Sequence, residues 1–129
     1  TIPALSTAEP VITMDIYPTL LELTGCDQLP KQTVDGLSLV PLIHSKKKTL
    51  NRPFLAWWYP HSNGHGTQPC QAILKDGWKL VHYIDQNETE LYRLEDDEGE
   101  RNNLAKEQPK RTAELLKTLN QWVKETRRT

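Results

Sequence analysis

The dipeptide Asp76-Gly77 stands between two apolar-rich runs, residues 71–75 and 78–84. Asp-Gly adopts the positive φ angles of a two-residue hairpin turn at little steric cost, so the runs are predicted to pair antiparallel, in a register set by the turn. A further strand is predicted over residues 90–94, after the polar turn 85–89, and the aromatic run 54–59 supplies a fourth before Pro60 ends it. Connections this short join antiparallel neighbours.

Helical spacing brackets this β region. Leu115, Leu116, Leu119, Trp122 and Val123 form one apolar stripe over residues 109–126, with Lys110, Arg111, Glu114, Lys117, Lys124 and Glu125 turned to water. Lys124, Arg127 and Arg128 suit the negative end of that helix. A shorter helix is predicted over residues 15–24 from Ile16, Leu20, Leu21 and Leu23, with Pro18 in the first turn and Gly25 as the stop. Pro3 and Pro10 make residues 1–14 an extended lead-in. Residues 26–53 contain Pro30, Asp35-Gly36, Pro41, Pro53 and the solvated run Lys46-Lys47-Lys48, so their regular structure is predicted to be short. Leu37, Leu39, Leu42 and Ile43 are expected to pin that stretch to the core. The predicted class is α+β: about four antiparallel strands packed against a C-terminal helix, preceded by a short helix.

Composition excludes several functions. Lys and Arg number 16 against 17 Asp and Glu, which leaves no broad basic field for nonspecific nucleic-acid binding. The longest apolar run, residues 54–59, falls far short of the roughly 20 residues of a membrane span. A chain of 129 residues suits one domain, and 36% hydrophobic residues is lean enough to suggest a core shared with something else. Cys26 and Cys70 are too few for a disulfide framework and leave the redox compartment open. The start has no signal-like stretch and no initiator Met, which reads as an excised or processed piece. Asn87-Glu88-Thr89 fits a glycosylation acceptor.

Chemistry-bearing patterns are sparse. His61, His65 and Cys70 could be pictured as metal ligands, but Asn63-Gly64 and Gly66 argue for a loop, and no second close pair completes four ligands. Neither a nucleophile elbow nor a glycine-rich phosphate loop is present, and neither cysteine sits in an activating setting. The acidic run 95–100 reads as solvated turn, and Asp85-x-Asn87-x-Thr89 lacks the glycine and closing glutamate of a calcium loop. Strand alternation must turn either Trp57 or Trp58 away from the core, leaving one of them available to stack on a sugar. The residues alone describe an α+β domain without a self-contained active site.

Six strings change that reading. They are Asp15-Ile16-Tyr17-Pro18-Thr19-Leu20-Leu21-Glu22-Leu23-Thr24-Gly25, Asp35-Gly36-Leu37-Ser38-Leu39-Val40-Pro41-Leu42, Trp57-Trp58-Tyr59-Pro60-His61, Ala72-Ile73 with Gly77-Trp78-Lys79-Leu80-Val81, Glu90-Leu91-Tyr92-Arg93-Leu94, and Glu100-x-x-Asn103-Leu104-Ala105. In this order they resemble the C-terminal region of the sulfatase family, within the alkaline-phosphatase-like superfamily. Glu98 stands where the family often has Pro, a departure confined to turn geometry.

The resemblance implies a division at residue 52. Residues 1–51 would be the tail of a large α/β catalytic domain with its connecting segment, and 52–129 a small C-terminal subdomain closing one side of the substrate cleft. It implies a parent that hydrolyses a sulfated sugar or an aryl sulfate, using a formylglycine and a divalent cation, usually calcium. Family members favour a periplasmic, secreted or lysosomal compartment. Around Cys26 and Cys70 the Cys/Ser-x-Pro/Ala-x-Arg precursor string is absent, and so are the family's paired N-terminal aspartates; Asp96-Asp97 belongs to the acidic turn. No activity is therefore expected of the chain alone, and its implied partner is the N-terminal catalytic domain of the same polypeptide. His61 is the residue expected to face the cleft, with Tyr59 and Trp58 after it, all orienting substrate rather than making bonds. A carbohydrate-binding module using the 57–61 edge, or a purely structural module, are the competing readings. Leu20, Leu21 and Leu23 are expected to leave an apolar patch that favours self-association.

Overall fold

The hairpin turn closes as its composition requires, with φ of 52° at Asp76 and 74° at Gly77. The structure is a computed structural model that describes residues 7–44, 49–62 and 68–127. It divides into two compact units, Thr1–Arg52 and Pro53–Thr129. The Lys46-Lys47-Lys48 run, His65, the Asn63-Gly64 and Gly66 positions, Arg128, and the first six residues of the lead-in lie outside the described residues.

The second unit is a four-stranded antiparallel meander in the order β1-β2-β3-β4: β1 Leu55–Tyr59, β2 Cys70–Lys75, β3 Trp78–Tyr83 and β4 Glu88–Arg93. β4 begins two residues before the predicted strand. Asn87 takes the left-handed conformation at φ 54°, which completes the turn early and lets Glu88 pair with Tyr83. Register places Ala56, Ile73, Leu80 and Leu91 in one cross-strand row. Against that row packs the long helix at the chain's end, Pro109–Thr126, whose Leu115, Leu119 and Val123 complete the buried cluster. Leu116 and Trp122 sit half-buried at its margin. Arg111 departs from the solvated face predicted for it, lying 6.0 Å from the centroid of the Trp78 ring and 3.1 Å from Glu114. Along β4, the Asn103 side chain accepts from the Leu91 N–H at 3.1 Å while Leu104 N–H donates to the Leu91 carbonyl at 2.8 Å, so this loop satisfies backbone groups the meander leaves unpaired.

The described residues of the first unit form a 3-10 turn at Thr13–Asp15, then α1 Ile16–Thr24 and α2 Val40–His44; the C-terminal helix Pro109–Thr126 is therefore α3. Gly25, at φ 67°, stops α1, and Cys26 N–H donates to the Leu21 carbonyl at 3.0 Å. What anchors residues 35–39 differs from expectation. Leu37 is exposed, and Leu39, Leu42 and Ile43 are only half-buried. Polar bonds hold the stretch instead: Leu37 N–H donates to Asp15 Oδ1 at 2.9 Å and Leu39 N–H to Thr19 Oγ1 at 2.8 Å. Among the described residues, no helix is long and apolar enough to cross a membrane.

Candidate functional site

Strand alternation sorts the Trp57-Trp58-Tyr59 run onto two faces. Trp57 and Tyr59 point away from α3, and both remain over a third exposed, at 38% and 39%. By register they share that face with Cys70, Ala72, Val81 and Tyr83, all half-buried. Tyr83 Oη donates to Glu90 Oε2 at 3.2 Å. Burial, then the Glu90 carboxylate, raises the Tyr83 pKa, and burial with a hydrogen bond to Glu90 pushes Tyr92 up to about 12. Both phenols therefore stay protonated at neutral pH and act as donors. Lys79 Nζ pairs with both oxygens of Glu100, at 2.6 and 2.7 Å.

Trp58 points the opposite way. It packs against the core under α3, with the Arg127 guanidinium 4.6 Å from its ring centroid and its indole N–H buried without a hydrogen-bond partner. Adjacent in sequence, Trp58 and Tyr59 are thus separated by the sheet. His61 lies two residues beyond the end of β1, exposed, and among the described residues it has no hydrogen-bond or ion-pair partner. Tyr59 and His61 share the strand end; Trp58 supports that end from the helix side.

One buried polar contact escaped the sequence reading. Gln71, only 6% exposed, donates through Nε2 to Asn120 Oδ1 of α3 at 3.0 Å. The available signal was a polar residue in the helix-facing row of a strand, opposite Trp58 and His82. His82 Nδ1 in turn lies 2.9 Å from Thr89 Oγ1.

The acidic turn is engaged locally. Glu95 and Asp96 pair with Arg93 at 2.7 and 3.0 Å, and Asp97 accepts from the N–H groups of Arg101 and Asn102 at 2.8 and 2.9 Å. Those two backbone bonds, Asn102 first, hold the Asp97 pKa below its usual value. Among the described residues no three His, Cys, Asp or Glu are grouped so as to hold a metal ion. Cys26 and Cys70 are free thiols.

The family described as N-sulphoglucosamine sulphohydrolase, C-terminal, matches residues 2–129. This chain belongs to the sulfatase family, as a C-terminal region. It is 33% identical over 95 residues to the Delta 4,5-hexuronate-2-O-sulfatase of Bacteroides thetaiotaomicron, covering 74% of this chain and 19% of that protein. Arylsulfatase K of Danio rerio is 32% identical over 117 residues, covering 88% of this chain and 22% of that enzyme. A solved structure described as a complex with its substrate D-glucosamine-2-N,6-O-disulfate superposes with a TM-score of 0.71 at 26% identity, covering 89% of this chain and 24% of that one. The sulfatase chain thus spans about a fifth of the length of the curated relatives it matches.

Proposed function

We propose that this chain is the C-terminal portion of a sulfatase that hydrolyses sulfate esters of sugars, and that the end of β1 faces the substrate. The observation behind the reading is His61: an exposed side chain without a partner among the described residues, just past an anchored strand, in a chain matched to sulfatases almost throughout. Two relatives support that substrate class, one named for a hexuronate 2-O-sulfate and one described with a disulfated glucosamine.

In such a parent a formylglycine and a divalent cation such as calcium supply nucleophile and charge neutralisation, from residues outside 1–129. His61 and Tyr59 supply hydrogen-bonding groups that fix the orientation of the sugar, reducing the entropic part of the barrier. Trp58, packed under α3, limits the freedom of the strand that carries them. Residues 1–51 are read as the end of the large catalytic domain, and the exposed apolar side chains of α1 as a surface covered by the rest of it.

The test is His61→Ala in the full-length parent, with sulfate release from a sulfated sugar as readout. Removing an orienting contact is expected to lower kcat/KM about tenfold, or roughly 1.4 kcal/mol, with the melting temperature unchanged. Unchanged turnover would leave the subdomain a purely structural role.

A further inference from the structure

We propose that the exposed face of α3 is a binding surface for an extended sulfated glycan. Lys117, Asn120, Lys124 and Arg127 follow one another at spacings of three, four and three, which places them along one face of the helix over about 15 Å. Two adjoining depressions of about 480 and 530 Å³ run beneath them and share Asn120 and Lys124. From the sheet, Gln71, His82 and Ile84 form the other wall of the first depression.

Charge separates this face from its neighbours. None of the residues lining either depression is acidic. Among the described residues no carboxylate lies within ion-pair distance of Lys117, Lys124 or Arg127, whereas Glu114 is held by Arg111 at 3.1 Å and by Lys75 at 3.7 Å. Glu114 and Glu125 line a further groove beside Phe54 and Trp122, which Lys117 also borders, so among the described residues the stripe meets carboxylates only along the edge of Lys117 turned away from Lys124 and Arg127. The Arg127 stack on Trp58 fixes one cation at the stripe's end. Three uncompensated cations in a row favour a ligand whose negative charges repeat along a line, because each contact releases counterions.

Asn120, exposed and held from behind by Gln71, and His82 add hydrogen-bonding groups suited to sugar hydroxyls. Ile84 and Val123 add an apolar floor for a ring face. A sulfated polysaccharide combines these features, since its ester charges persist at every ordinary pH. The choice of polyanion rests on the sulfatase reading; the basic stripe does not.

The test uses the full-length parent and heparin as probe, measuring the dissociation constant at low salt and the salt needed to elute the protein from immobilised heparin. The double reversal Lys117→Glu with Lys124→Glu, both at exposed positions, is expected to weaken binding at least tenfold and to lower the eluting salt, with the melting temperature retained. Arg127→Gln, which keeps a polar side chain over Trp58, is expected to weaken it less. Heparin affinity equal to wild type in the double variant would overturn the proposal, as would equally tight binding of double-stranded DNA by the wild type. A parent that binds heparin through the stripe but frees sulfate from no sulfated sugar would refute the enzymatic reading and leave the binding surface standing.

Discussion

Asp15 is the most constrained residue of the first unit. Its carboxylate is fully buried, and it accepts from Ile12 N–H at 3.0 Å, Leu37 N–H at 2.9 Å and Arg52 Nη2 at 2.5 Å. Burial pushes its pKa upward, but Arg52 and the two backbone donors outweigh this and hold it below the usual 3.8. A depressed folded-state value means Asp15 stabilises the fold above pH 3.8 and loses that contribution as pH falls through the lower folded value. Acid titration of the melting temperature should therefore show a loss below that point that is missing in Asp15→Asn. At neutral pH that substitution leaves Arg52 buried without its counter-ion and is expected to cost about 3 kcal/mol, measured by denaturant unfolding. Gly36 belongs to the same node: a Cβ there would lie 2.0 Å from the Met14 carbonyl oxygen, so Gly36→Ala must move backbone and break the Leu37 bond to Asp15. The Asp35-Gly36 string was visible as a turn, but nothing local in it announced a contact with a residue 22 positions earlier.

At the scale of elements, sheet and helix were read almost to the residue, because each is specified by a period that neighbours in sequence express directly. The Asp76-Gly77 turn, the meander and the span Pro109–Thr126 are of this kind. Leu119 is fully buried in the cluster with Ile73, Leu80 and Leu91, and truncating it to Ala is expected to cost about 3 kcal/mol in a unit of 53–129, seen as a lower denaturation midpoint. Gly77→Ala should cost about 1 kcal/mol, since an L residue there must hold φ at 74° with its Cβ 3.3 Å from Glu95 Oε1. Which of Trp57 and Trp58 faces out was undecidable from alternation, since a period of two has no sign. Pairing of Ala56 with Ile73 fixed it.

Across the whole molecule the two units differ in kind. Every buried apolar side chain described lies in the second unit, while in the first the buried side chains are those of Asp15 and Thr19. Ile16, Leu20 and Leu23 of α1 are 54%, 55% and 45% exposed. An apolar helix face of this size in water should drive concentration-dependent association of the 129-residue chain, which Leu20→Glu with Leu23→Glu should abolish. Sedimentation velocity across a hundredfold concentration range measures it; a single monomeric species throughout would refute the expectation.

By itself the sequence determined the strands, the helices, the hairpin turn and the sulfatase kinship, all of which depend on neighbours within a few positions or on short strings in order. Tertiary structure alone decided which tryptophan faces out, that Gln71 meets Asn120, that Asp15 meets Leu37 and Arg52, and that among the described residues no carboxylate pairs with Lys117, Lys124 or Arg127. Those outcomes depend on which sheet face the helix covers and on contacts between residues far apart in the chain, and no local period records either.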